Sequence, residues 1–280
     1  MRWALRLFGL MTALMLVVGP GRAEDHPAQI EALFQALDIA GNADVMRAEG
    51  VIYGAQIAQD LMPDADLDSW ARTVSDIHDA DRMRGVVEQG MREALRDTDL
   101  APLLAFYTAP IGQRIITLEL GARRAFMDEA IEADAMAAAR QAAVLMDGPR
   151  AELRDQIAQM IEDSDLVELN VAGTLNANLL FLRGLVDGGA SDLGEDDILG
   201  DVWAQEEATR TDTREWLMAF LMLAYAPLDK DELAEYAAMW RTPEGRDLNR
   251  ALFIGFNRMY DQLSYLLARA AAEHLTSAPL

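Results

Sequence analysis

The chain is 280 residues long and carries 47 acidic against 24 basic residues, a formal net charge of −23. A field of that sign repels phosphate backbones and anionic lipid head groups, so nucleic-acid binding and peripheral membrane attachment are disfavoured. The absence of cysteine excludes disulfides and a lipoprotein anchor.

In chain order, the first segment reads as a leader. Arg2 and Arg6 form a positive n-region, Leu7 to Gly19 is an apolar run, and Pro20 ends it. Small residues Gly21 and Ala23 then occupy the −3 and −1 positions, the layout of a secretory signal peptide over 1–23, cleaved after Ala23. The apolar run is short for the competing reading, a retained membrane anchor. A periplasmic or secreted location is expected. Three of the 24 basic residues lie in the leader, so Glu24 to Leu280 carries 21 against 47 acidic, a net charge of −26. A chain of that length removes roughly 70–75% of its unfolded surface from water, so its core needs no covalent staple.

Beyond the leader, helical periodicity dominates. Leu252, Phe256, Met259, Leu263, Leu266 and Ala270 recur at alternating spacings of four and three, one face of a helix. No run of alternating β-branched residues competes, and glycine and proline fall between helical stretches at Met62-Pro63, Gly148-Pro149, Gly188-Gly189 and Pro227. The fold class is all-α. The apolar run "WLMAFLMLAYAP", Trp216 to Pro227, suits a buried core helix better than a bilayer span, and no membrane insertion is expected after leader removal.

One sentence of the sequence occurs twice. "LLAFYTAPIGQRI", ending at Ile115, returns as "YAAMWRTPEGRDL", ending at Leu248, an offset of 133. The same offset superposes Trp70 on Trp203, Asp79 on Asp212, Leu95 on Leu228, Leu100 on Leu233, Pro110 on Pro243 and Gly112 on Gly245. Earlier in each half the offset falls to 123, pairing Gly50 with Gly173, and the loop "DGGASDLGED" accounts for the difference. The expectation is two related multi-helix repeats, residues 24–148 and 149–280, packed into a bundle-like array.

The Pro-x-Gly element builds a corner. In "WRTPEG", Thr242 caps a helix, Pro243 takes its first position and Glu244 complements the positive end. The preceding helix stops there because a residue before proline avoids αR geometry. Gly245 implies close approach of another backbone. In the first copy Ala109 stands at the cap position, and Thr108 is expected to substitute. These residues resemble the signature of the bacterial Domain of Unknown Function 2059 family, most closely over Val86 to Glu132 and less closely over Glu232 to Tyr260. The resemblance implies an exported protein with an aromatic-rich helix before the corner. It implies no chemistry.

Motifs for catalysis are sparse. His26, His78 and His274 sit in no nucleophile motif, and two of them are near termini. With no cysteine and no H-E-x-x-H spacing, zinc and haem lack their usual ligands, and no cofactor is expected. Asp64, Asp66 and Asp68 in "DADLDSW" imitate the start of a calcium loop, but Ser69 and Ser75 replace the glycine and glutamate that such a loop requires. Helix capping explains them equally well: Asp68 and Asp201 each precede a tryptophan by two residues. Glu119, flanked by Ile116, Leu118 and Leu120, is the one candidate for a general acid held neutral in apolar surroundings, as a peptidoglycan hydrolase needs. An ion pair with Arg123, four residues on, is its structural alternative. The methionines, Met83, Met91, Met136, Met218 and Met222 among them, suit either an irregular core or a client-binding surface. The functional expectation is a non-enzymatic module, chaperone- or adaptor-like, that binds a basic or apolar protein or envelope component, with a groove between the repeats as its site. A cell-envelope hydrolase using Glu119 is the alternative.

Overall fold

The computed structural model describes residues 21–62 and 66–277, all of it helix and connections. In the first half these are α1 (Gly21–Ala36), α2 (Ile39–Leu61), α3 (Leu67–Ile77), α4 (Ala80–Ala94), α5 (Ala101–Tyr107), α6 (Pro110–Ala125) and α7 (Glu129–Ala143). In the second they are α8 (Pro149–Asp163), α9 (Leu166–Asp187), α10 (Glu195–Ala204), α11 (Glu206–Tyr225), α12 (Lys230–Trp240) and α13 (Pro243–Ser277). The all-α expectation is met. The leader's residues 1–20 lie outside the described residues, as does Asp64.

Local chemistry fixes most boundaries. Asp79 caps α4 by accepting from the Arg82 amide at 2.8 Å. Asp229 and Glu232 form a reciprocal capping box on α12. Gly148, at φ 91°, and Pro149 open α8, at the junction expected between the halves. The α1–α2 and α8–α9 joints turn on Asp38 and Asp165, both left-handed at φ 48° and 51°, a conformation that aspartate tolerates better than most side chains.

The two proline corners match closely. Pro110 and Pro243 each start a helix, and each following glycine lies under the end of the preceding one. A Cβ on Gly112 would stand 2.3 Å from the Phe106 carbonyl oxygen; on Gly245 it would stand 2.1 Å from that of Met239. Thr242 caps as expected, its hydroxyl accepting from the Gly245 amide at 2.9 Å. Thr108 does not substitute in the first copy: its hydroxyl donates back to Leu104 O at 2.6 Å. Gln113 secures that corner instead, donating to Tyr107 O and Ala36 O.

Other sequence correspondences diverge. Trp70 is 2% exposed and Trp203 62%; Asp79 is a cap, whereas Asp212 lies within α11. Asp68 and Asp201 are not caps, since Asp66 caps α3 and Asp201 lies within α10. The two halves share one core. Its largest cluster runs from Ile30 to Leu263 and takes side chains from both sides of the Gly148-Pro149 junction.

At the centre lies α13, packed against α9 on one side and α4 on the other. Backbones meet on both flanks: a Cβ on Gly90 would stand 2.8 Å from Gly255 Cα, and one on Gly184 2.6 Å from Tyr265 O. The buried stripe of α13 reads Leu248, Ala251, Met259, Leu263, Leu267, Ala271. It departs from the expected stripe at Leu266, which is 42% exposed, because toward the end of the helix the face that meets its neighbours is the one that carries Leu267, Ala268, Ala271 and Ala272. Met83, Met91 and Met222 are buried, and Met136 and Met218 pack against the core, so these methionines fill space in the interior.

Steric contact and helix propensity give opposite signs at different glycines. Gly85→Ala and Gly121→Ala, where a Cβ meets nothing within 4 Å, are expected to stabilise by up to about 1 kcal/mol. Gly112→Ala and Gly245→Ala are expected to destabilise by about 1–3 kcal/mol through forced displacement of backbone. Urea titration of the four variants checks the reversal of sign.

Candidate functional site

Glu119 does not pair with Arg123. Its Oε1 accepts from the hydroxyls of Tyr225 (2.6 Å) and Tyr236 (2.8 Å), which come from α11 and α12 to meet α6. Around them Tyr236 stacks on Phe106 and meets Tyr225 edge-on. Burial raises the Glu119 carboxyl above its ordinary range, while the two tyrosine hydrogen bonds oppose the rise. Burial, and next the Glu119 charge, pushes the phenols of Tyr107, Tyr225 and Tyr236 well above theirs, so all three stay protonated at neutral pH. The residue is only partly exposed, and one of its carboxylate oxygens, Oε1, is taken up by the two phenols. A general acid needs an open approach to a leaving group and a second carboxylate opposite; the partners here are two tyrosines, and Glu119 lines none of the cavities described below.

The acidic triplet is equally structural where it is described. Asp66 Oδ1 accepts from the amides of Asp68 and Ser69, both at 3.1 Å, the geometry of an N-cap. Among the described residues no group of three or more His, Asp or Glu side chains converges as a metal site would require. His78, in a charged stretch of the sequence, is 4% exposed. Its Nδ1 lies 2.9 Å from Val74 O and its ring rests where Gly50 leaves room. Burial lowers its pKa. His274 packs edge-on against Trp70.

A groove of about 690 Å³ opens elsewhere on the molecule, within the size range of ligand sites. Tyr53 and Ile52 of α2 form one wall; Trp216 and Phe220 of α11, stacked at 4.9 Å, form the other, with Phe126 edge-on to both. Phe253, Phe256 and Tyr260 of α13 also line it. At its neck Arg123 forks onto the Glu49 carboxylate with two 2.8 Å hydrogen bonds and reaches Tyr260 OH at 3.0 Å. Glu129 and Glu132, at the start of α7, add negative charge to the lining and make no ion pair among the described residues. A second cavity of about 430 Å³ adjoins it, sharing Met46, Glu49, Tyr53 and Tyr260 and continuing past Asn178 and Ser264. The sequence pointed to a groove between repeats but not to these side chains. Aromatic residues at helical spacing read as core until the structure leaves one side of them uncovered.

Among the described residues no helix is long and apolar enough to cross a membrane.

Stability should report the Glu119 environment directly. A carboxyl raised on folding contributes stability that is fully present below its unfolded value, near 4.5, and is lost as pH rises through the folded value. Glu119→Gln is therefore expected to gain in melting temperature relative to the parent as pH rises above about 4.5. Glu119→Leu is expected to cost about 1–3 kcal/mol for each stranded hydroxyl, read by urea denaturation.

Comparison with known proteins places one segment. Residues 81–141 match the family described as an uncharacterized protein conserved in bacteria (DUF2059). That stretch covers α4 through most of α7, and so contains the first proline corner and Glu119. No curated protein and no solved structure matches the chain.

Proposed function

We propose that the protein is an exported, non-enzymatic helical module, chaperone- or adaptor-like, whose groove between α2, α7, α11 and α13 receives a protein or other envelope component. The observation that carries this reading is the groove itself. Ile52 and Tyr53 on one wall are 46% and 51% exposed, and Trp216 on the other is 37% exposed. Apolar surface gathered this way is more typical of recognition sites than of ordinary surface. Aromatic side chains supply contact area at little entropic cost. The surrounding acidity, −23 over the whole chain, favours basic or apolar partners. Export rests on the leader read over 1–23 and on the family resemblance; the two tyrosine hydroxyls on Glu119, and its place outside the groove, favour this reading over a hydrolase that uses it.

Two measurements test it. A photo-crosslinking benzoylphenylalanine at Ile52 should yield discrete protein adducts in whole bacterial cells, and the same group at exposed Asp192 should not; equal or absent adducts at the two positions would sink the proposal. The protein recovered from a periplasmic fraction should begin at Glu24; a cytoplasmic product that retains Met1 would remove the export component.

A further inference from the structure

The two halves leave their proline corners with nearly the same length of helix but use it differently. In the second half α13 continues unbroken from Pro243 to Ser277. It lies along α9, close enough that a Cβ on Gly188 would stand 2.3 Å from Ala272 Cβ. In the first half α6 ends at Ala125, Asp128 caps a new helix by accepting from the Ala130 amide at 2.9 Å, and α7 packs on α11 and α8. The helix that begins after Asp38 packs on α3 and α4 and meets Leu267 and Ala271 of α13 through Ile57 and Ala58, but has no contact as long as the one between α9 and α13. The uncovered flank of α2 is the wall that presents Ile52 and Tyr53.

We propose that this groove takes an amphipathic helix from a partner protein, with apolar residues at i, i+3 or i+4, and i+7 and lysine or arginine along one edge. This rests on the interaction-module reading and names the partner's chemistry. Two observations point to it. The groove is walled by helices, and α11 presents Trp216 and Phe220 to it at i, i+4, the spacing at which a docking helix offers its own side chains. The aromatic lining is bordered by Glu129 and Glu132, carboxylates that no cation answers among the described residues, so an incoming helix with a basic edge finds both its apolar and its charged complement. Helix-in-groove recognition uses this combination of apolar anchors and flanking charge.

The test uses the full chain and labelled 18-residue helical peptides, by fluorescence anisotropy at low and moderate salt. One peptide carries leucine on one face and lysine on the other; a second has glutamate in place of lysine; a third scrambles the first. The leucine–lysine helix should bind saturably, one per chain, and at least about tenfold more tightly than the other two. Ile52→Asp should weaken it by about tenfold or more. The double variant Glu129→Lys with Glu132→Lys should reverse the preference toward the glutamate peptide. Ile52 is not buried, so Ile52→Asp should melt with the parent; the double lysine variant, which loses two carboxylates from the first turn of α7, should melt slightly lower with its helical circular dichroism unchanged. Binding that is unchanged by Ile52→Asp, or equal for the scrambled peptide, overturns the proposal in favour of surface electrostatics. Absence of peptide binding, with concentration-dependent dimers lost in Ile52→Asp, overturns it in favour of a second copy of the chain. Absence of peptide binding with saturable uptake of anilinonaphthalene sulfonate overturns it in favour of a small apolar ligand. In these last cases crosslinking at Ile52 still decides the broader reading separately.

Discussion

The arrangement depends on backbone meeting backbone where no Cβ intervenes. At both proline corners a glycine lies under the last turn of the preceding helix, so the chain reverses within a few residues and launches the next helix at a fixed angle. Gly90, Gly255 and Gly184 do the same for the flanks of α13, bringing three helices closer than side chains would permit. Each such glycine gives up helix propensity, about 1 kcal/mol against alanine, in exchange for van der Waals contact along the whole crossing. The position of α13 sets the positions of α4 and α9, and through them the two walls of the core.

The groove is a departure from that close packing. Where α13 continues, α6 stops, and the turn at Phe126 to Asp128 swings α7 onto α11. Phe126 remains at the fork as an edge-on contact to Trp216 and Phe220. Arg123, Glu49 and Tyr260 tie the fork together by hydrogen bonds between α6, α2 and α13. A bidentate guanidinium–carboxylate pair is directional and partly shielded from water, so it holds the opening at one width. The aromatic lining is thus part of a framework whose spacing is set before any partner arrives, which reduces the ordering cost of association.

Much of the fold was legible in the sequence because the signals were local. Proline at a first helical position, threonine at a cap and an apolar stripe at helical spacing act within a few residues, and the corners at Pro110 and Pro243 follow from them. What escaped was non-local. Glu119 and Arg123 have the spacing of a helical ion pair, yet tyrosines more than a hundred residues away claim the first, and Glu49 claims the second. Trp70 and Trp203 share a register but not an environment, because α13 covers the side on which Trp70 lies and no helix does the same for Trp203. The cap at Asp66 was mistaken by one helical half-turn, a scale at which aspartates two residues apart are interchangeable on paper. The groove was expected only as a gap between halves; its lining depends on where α7 turns, and residues 126–128 carry no proline or glycine to announce the break.

The reach of α13 also dictates an order of events. Its first half lies beside α4 and the turn that follows it, with Arg258 bound to Glu93, 165 residues earlier, at 2.7 Å and Thr98 to Asp247, across 149 residues, at 3.0 Å. Until the chain is available as far as Gly255, the glycine face of α4 has nothing to close against, and contacts of such separation carry the entropic cost of a long loop. The amino-terminal half is thus obliged to wait, partly assembled, for its keystone to arrive.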